Sequence, residues 1–300
     1  ESATASASVE TQDLVLDAAE LEVEDADDAL MLDPSSVTSD SAGEPTAAPD
    51  AAAGIEPAHA DAAIADAWDE IEPFVGIVDA ELEAAGDAPL TFFELLTVLA
   101  FVAASDAPVD VLVLEVGMGG EWDSTNTADG DVAVFAPIAI DHADRLGDTI
   151  EKIAGVKAGI IKEGAAVVSA QQSAEAAEVL RRVAAERNAT IAFEGDEFGL
   201  AEQKLAVGGQ LLTVKGLAGP YVEEYLPLYG AHQGHNAALA IAAVESLIGG
   251  GTQPIAGDII TEGLQGATSP GRLQLIGIAP TVVVDAAHNP HGAAALAQSL

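Results

Sequence analysis

The chain has no cysteine, so it can hold neither a disulfide framework nor a Cys-ligated metal, which fits a cytoplasmic enzyme. Aromatic residues make up only 4% of its 300 positions, so a core must be built from Ala, Val, Ile and Leu. With 49% apolar content there is enough of these for one large or two smaller domains. No apolar run is long enough to span a bilayer, and the N-terminus lacks the basic and apolar regions of a signal peptide. Lys and Arg are absent before Arg145, while residues 1–144 hold 34 of the 50 acidic side chains. From 145 onward 16 acids face 10 bases, within a formal net charge of −40. Such a surface repels nucleic acid and anionic membranes, and it suits a salt-adapted host. It would also repel a nucleoside triphosphate unless a divalent cation or backbone dipoles reverse the field locally. A metal site is therefore expected.

Residues 1–61 are rich in Ala, Ser, Asp, Glu, Pro and Thr and read as an acidic, disordered low-complexity insertion. Order is expected from about Ala62. The segment 64–85 carries Trp68, Ile71, Phe74 or Val75 and Val78 at helical spacing. A second helix from Thr91 is apolar nearly all round and is predicted to be buried. VDVLVLEVG (109–117) and DVAVFAPIAI (131–140) read as buried parallel strands, followed by alternating helices and strands to TIAF (190–193). This alternation predicts an α/β fold with a mostly parallel, doubly wound sheet. Residues 197–230 read as a small antiparallel sheet, and a long helix follows from about His235 to Ile248. A strand pair and the first turns of a helix close the sequence. The first residue is Glu rather than Met and the last unit stops short, so a longer parent chain is expected.

In open α/β sheets ligands sit beyond the carboxyl ends of strands. Glu115 ends one strand and precedes GMGG, and His142 follows the next; a carboxylate and an imidazole so placed can ligate Mg²⁺ or Mn²⁺. Taken alone, a strand-end Glu is more often a cap or salt-bridge partner than a ligand, and a lone His is more often just hydrogen-bonded. GMGGEWDSTNT has the composition of a loop approached closely by a ligand, but it is not GxxxxGK followed by Ser or Thr, and no such phosphate loop occurs in the chain. Lys157 reads as a surface lysine or, in a desolvated pocket, as a neutral amine able to react with CO₂. Asn236, in HQGHN, can read a base edge. Arg272, in SPGR, can clamp phosphate, and Asp285 and His288 follow a β-branched run in VVVDAAHNP.

Seven strings in order, TFFELLT, LEVGMGGEWDSTN, IDHADRLGDT, KAGIIK, HQGHNAALA, SPGRL and VVDAAHNP, resemble the folylpolyglutamate synthase/dihydrofolate synthase family of the Mur ligase superfamily, in its actinobacterial form. The resemblance covers about 62 to 300. It implies a central ATP-binding domain at 62–268 and the start of an α/β C-terminal domain at 269–300. The implied activity is ATP-dependent addition of L-glutamate to dihydropteroate or folates through an acyl phosphate, in folate biosynthesis and one-carbon metabolism. The implied cofactors are ATP and two Mg²⁺. Glu115 and His142 ligate one cation and a carbamylated Lys157 helps hold the second. Asn236 faces adenine, Arg272 the phosphates, Asp285 the ribose or nucleotide edge and His288 the γ-phosphate. Thr91, Phe92, Phe93, Glu94, Trp122 and Asp123 line the pterin pocket. Substrates are small molecules, with no nucleic acid or membrane partner, and the protein is expected to be a cytoplasmic monomer. Three departures stand out. The family's GTNGK-type phosphate loop is expected upstream of residue 1, so the chain by itself is expected to be inactive. Glu121 stands where the family has Arg or Lys, and Val156 where it has Glu. The alternatives are a Mur-type ligase for another acid, or a degenerate non-catalytic binding module.

Overall fold

A computed structural model describes residues 57–299 except 108, 279, 288 and 289. The acidic tract thus lies outside the described residues up to position 56, as does His288. Helix α1 (Pro57–Ala85) starts ahead of the expected Ala62, with a proline whose fixed φ suits a first helical turn. It buries Ala67 and Ile71 and leaves Phe74 exposed. Helix α2 (Phe92–Asp106) begins with a capping box: the Glu94 amide donates to Thr91 Oγ1 at 3.3 Å, and the Thr91 amide donates to Glu94 Oε2 at 2.8 Å.

Two expectations fail in this region. Helix α2 is not buried: Thr97 is its one buried residue and Phe92 is 79% exposed. Among the described residues it packs chiefly on α1 and on the 3-10 turn Ser124–Thr127, so most of its apolar surface has no cover. Nor is VDVLVLEVG a strand. Residues 109–116 carry no strand pairing and Val113 is 88% exposed. A strand exists only by exchanging backbone hydrogen bonds with a neighbour, and the described sheet offers none at this point.

The parallel sheet has the order β1 (Val132–Phe135), β2 (Ala166–Ser169), β3 (Thr190–Phe193). Parallel neighbours require crossovers. These are α3 (Ala143–Leu146), α4 (Ile150–Lys157) with its 3-10 extension Ala158–Ile160, and then α5 (Ala174–Glu186). Side chains of β2 alternate between faces. Val167 joins Ile153, Ala154, Ala158 and Leu180 in one core, while Val168 joins Ala238, Ile241 and Ala242 in the other. Each valine is 1% exposed, burial worth roughly 1.5–3 kcal/mol apiece. This two-sided burial is why β2 reads as a continuous β-branched run.

The second core is closed by an antiparallel sheet, β4 (Gly199–Ala206), β5 (Gly209–Lys215) and β6 (Pro220–Leu226), and by α7 (Gly257–Gln265). Helix α6 (Ala231–Gly249) lies between the sheets, against β1 and β2 on one side and β4 on the other. Gly250, in the left-handed conformation at φ 59°, ends it. The chain continues through an antiparallel pair, β7 (Gln274–Ile278) and β8 (Thr281–Val284), to α8 (Pro290–Ser299). Helices therefore cover both faces of a parallel sheet, with small antiparallel sheets attached, as the sequence predicts. No helix among the described residues is long and apolar enough to cross a membrane.

Candidate active site

The first assembly of candidate residues is built on the glycine loop after residue 116. Gly117 lies under the ring of Phe93, where a Cβ would overlap the ring carbons. Gly119, at φ 73°, fits between Leu146 of α3 and Val156 of α4. Gly120 faces the last turn of α4: a Cβ there would stand 2.7 Å from the Lys157 carbonyl oxygen. The Glu121 amide then donates to the Val156 carbonyl at 2.9 Å. Asp123 closes the loop by accepting from the Met118 amide at 2.8 Å and from the Thr125 amide and hydroxyl at 3.0 and 2.6 Å. Asn126 Nδ2 donates to the Gly159 carbonyl at 3.1 Å, and Lys162 Nζ donates to the Asn126 carbonyl at 2.7 Å. The hydroxyls of Thr97 and Ser124, 2.9 Å apart, tie the loop to α2. The glycines thus let one loop touch α2, α3 and α4 together.

The second assembly surrounds the start of α6. Asp285, just past β8, accepts from the Leu273 and Ala287 amides, both at 2.8 Å. It thereby fixes the turn that carries the exposed Arg272. Those amides, Leu273 first, and the charges of Arg272 and His232 hold the Asp285 carboxyl below its ordinary range against a smaller burial effect. Burial lowers the pKa of His232, with Arg272 and His235 acting in the same direction and Asp285 opposing them. His235 Nδ1 lies 2.5 Å from Glu194 Oε1. Asn236 is exposed and donates from Nδ2 to Gln233 Oε1 at 3.2 Å. Two imidazoles, a guanidinium, two carboxylates and an amide thus share the amino end of one helix, a setting that offers hydrogen-bonding groups of both charges to a ligand.

The sequence pattern of the Mur ligase middle domain matches residues 61–244. The dihydrofolate synthase/folylpolyglutamate synthase of Mycobacterium tuberculosis is 48% identical over 241 residues, covering 77% of this chain and 50% of that protein. The chain belongs to the folylpolyglutamate synthase/dihydrofolate synthase family of Mur ligases. The Bacillus subtilis member is 37% identical over 211 residues, covering 70% of this chain and 49% of its own length. The chain therefore spans about half the length of the relatives it matches. The structure of the M. tuberculosis folylpolyglutamate synthase complexed with ADP superposes with a TM-score of 0.75 at 47% identity, covering 80% of this chain and 53% of that one. A folylpolyglutamate synthase complex with AMPPCP and folate gives 0.73 at 33% identity, covering 82% and 58%.

Against this family background the residues singled out from sequence fall into groups. Phe93, Asp123 and the backbone of Lys157 meet through the glycine loop, whereas Phe92 and the 85%-exposed Trp122 face outward. Thr91, Glu94 and Asp123 already spend their polar atoms on local hydrogen bonds, as caps and a loop closure. Arg272, Asp285 and Asn236 gather at α6, and His288 lies outside the described residues. Glu115 is exposed and Lys157 partly buried, and neither side chain has a hydrogen-bond or ion-pair partner among the described residues. His142 begins α3 with a left-handed backbone at φ 47°, its Nε2 4.0 Å from an Asp141 oxygen. No three His, Asp or Glu side chains among the described residues converge on one point. Of these donors the Glu115 carboxylate is of the hard-oxygen type that Mg²⁺ takes, and an unmodified lysine amine is not.

Three participants escaped the sequence reading: His232, His235 and Glu194 all belong to the α6 assembly. The spacing of HQGHN held a signal for the two histidines, since His232, His235 and Asn236 lie at i, i+3 and i+4 on one helix face. Nothing local marks Glu194, whose partner is 41 residues away. A cleft of about 360 Å³ lies elsewhere: Asp129, Asp131, Lys162 and Glu163 line it at the amino ends of β1 and β2. Ligands of open α/β sheets bind at the opposite, carboxyl edge.

Proposed function

We propose that the chain is the nucleotide- and metal-binding part of an ATP-dependent ligase that joins L-glutamate to dihydropteroate or to folates. The identity to the M. tuberculosis dihydrofolate synthase/folylpolyglutamate synthase carries this reading, and the likeness to a complex with an ATP analogue and folate supports it. In the proposed reaction ATP phosphorylates the acceptor carboxylate. The glutamate amine attacks the acyl phosphate, and the tetrahedral intermediate collapses to an amide, leaving ADP and phosphate in all. Residues 62–268 serve as the central domain, 269–300 begin the C-terminal domain, and 1–61 are an acidic insertion. The protein acts as a cytoplasmic monomer.

Arg272 supplies a planar, permanently charged fork for the nucleotide phosphates, and Asp285 keeps its turn in place. Asn236 presents an amide edge to the base, and Asp285 and His288 serve the ribose and γ-phosphate. Thr91, Phe92, Phe93, Glu94, Trp122 and Asp123 border the pterin site, where Phe93 offers a flat apolar wall. Glu115 and His142 are proposed to hold one Mg²⁺, and Lys157, carbamylated, a second. Bound there, the cations supply charge neutralisation for phosphoryl transfer on an otherwise repulsive acidic surface.

The test is ATP- and glutamate-dependent consumption of dihydropteroate by the full-length protein, with one ADP and one phosphate formed per amide. Turnover with another acceptor acid alone would assign it to a different Mur-type ligase. ATP binding with no turnover on any acceptor would leave a binding module.

A further inference from the structure

Glu194 stands one residue beyond β3, at the carboxyl edge of the parallel sheet, and is 8% exposed. A carboxylate so placed must be hydrogen-bonded to be tolerated. Its Oε2 accepts from the Gln171 amide at 3.4 Å, and its Oε1 contacts His235 Nδ1 at 2.5 Å. The imidazole side of this contact is open: the His235 side chain is 53% exposed. With Nδ1 committed to the carboxylate, Nε2 is the ring nitrogen left for a ligand.

The pair is not required to seat the helix. Ala237, Ala238, Leu239, Ile241 and Ala242 already anchor α6 in the second core. Its start is also held by Gln210 Nε2, which donates to the Gly230 carbonyl at 3.2 Å, and by Gln203 Nε2, which donates to the Ala231 carbonyl at 3.3 Å. What the carboxylate adds is the orientation of one ring. That ring precedes Asn236 and lies within electrostatic reach of His232, which also senses Arg272 and Asp285.

Resting on the ATP-dependent ligase reading, we propose that Glu194 is a positioning residue for the nucleotide, holding His235 so that Nε2 faces the ATP bound at the start of α6. The deciding variant is His235→Asn in the full-length protein. Its amide nitrogen can take the place of Nδ1 and keep the bond to Glu194, while Nε2 is deleted. The KM for ATP should rise about tenfold, the equivalent of one lost hydrogen bond, with the loss falling on KM rather than on kcat and the melting temperature held. Glu194→Leu should give a similar rise, and Glu194→Gln, which keeps an acceptor oxygen, should restore most of it. The His235→Asn/Glu194→Leu double variant should lose no more than either single variant. An unchanged KM in His235→Asn, or a lower melting temperature with no change in KM, overturns the positioning role and leaves the ligase reading standing. Failure of the unaltered full-length protein to bind ATP in calorimetry overturns both.

Discussion

Gly120 packs directly on the carbonyl of Lys157: a Cβ there would come within 2.7 Å of that oxygen and within 2.8 Å of the Val156 carbonyl oxygen. Both obstacles are backbone atoms in the last turn of α4, so neither can swing aside. Gly120→Ala must therefore push the loop off the helix or unwind the turn that presents Lys157. Overpacking of this kind costs about 1–3 kcal/mol. Urea denaturation should show that loss, and turnover should drop further than the unfolded fraction accounts for. A variant as stable and as active as the parent would show that the contact is not tight in solution.

Lys157 itself separates metal bridging from pterin binding. Its amine has no partner among the described residues, and its neighbours in the loop serve as scaffold. If a carbamylated Lys157 helps hold a cation, Lys157→Ala in the full-length protein should lower kcat by about 10²-fold or more. Folate affinity, measured by fluorescence titration, should change only a few-fold. Equal losses in both would sink the metal-bridging role.

The parts of this fold legible in the sequence are those whose determinants are local. Helix α5 has its cap at Ser173 and its buried face at Ala176, Leu180 and Ala184, all within one segment. Val167 and Val168 mark β2 because both faces of a central strand are covered. Residues 109–117 have the same composition but no neighbouring strand among those described, and α2 has apolar residues that its described partners do not cover. Composition records what a segment can bury, and the neighbour decides whether it does. The site follows the same rule. Arg272, Asp285 and Asn236 were legible because each sits at an element end with ligand-type chemistry. Glu194 was not, because its meaning depends on a distant helix.

Acid should weaken the α6 assembly in two stages. Burial keeps the folded-state pKa of His232 below its unfolded value of about 6.5. The unfolded chain therefore takes up the proton first, and stability present above about pH 6.5 is lost as pH falls through the lower folded value. The Asp285 carboxyl is also depressed, first by the Leu273 amide. Its contribution is present above its unfolded value of about 3.9 and is lost below it. Urea midpoints recorded from about pH 7.5 to pH 3 should decline through both regions. His232→Asn should flatten the upper decline and Asp285→Asn the lower. An unchanged upper slope in His232→Asn would remove His232 from this account.

Salt should stabilise the protein. A net charge of −40, with no Lys or Arg between residues 57 and 144, makes self-repulsion the dominant long-range electrostatic effect. Raising KCl from about 0.1 to 1 M shortens the screening length from about 10 to 3 Å. Surface pairs such as Lys152–Asp148 at 2.7 Å and Lys204–Glu202 at 2.9 Å weaken too, but pairs this exposed contribute little. Relief of repulsion should win, and the melting temperature should climb by several degrees. A flat or falling melting temperature across that range would show that the acids are spaced too widely to matter.

The most severe stability loss is expected at Glu245, whose side chain is fully buried and has no cation beside it among the described residues. Its oxygens are met by neutral donors. The Leu217 amide donates at 2.6 Å, the Tyr221 hydroxyl at 2.8 Å and the Ala218 amide at 3.3 Å. Burial, and then the bond to Glu245, raises the Tyr221 pKa, so that hydroxyl stays protonated as a donor. Gly216 completes the cradle, since a Cβ there would lie 2.7 Å from both carboxylate oxygens. Glu245→Ala strands these donors in the core and opens a cavity, which should cost about 3–5 kcal/mol. Tyr221→Phe removes one donor from the carboxylate and one acceptor from the Ile255 amide, and should cost about 1–3 kcal/mol. The two losses share a bond, so the double variant should fall short of their sum by at least about 0.5 kcal/mol. Full additivity in urea denaturation would mean that the hydroxyl and the carboxylate do not support each other.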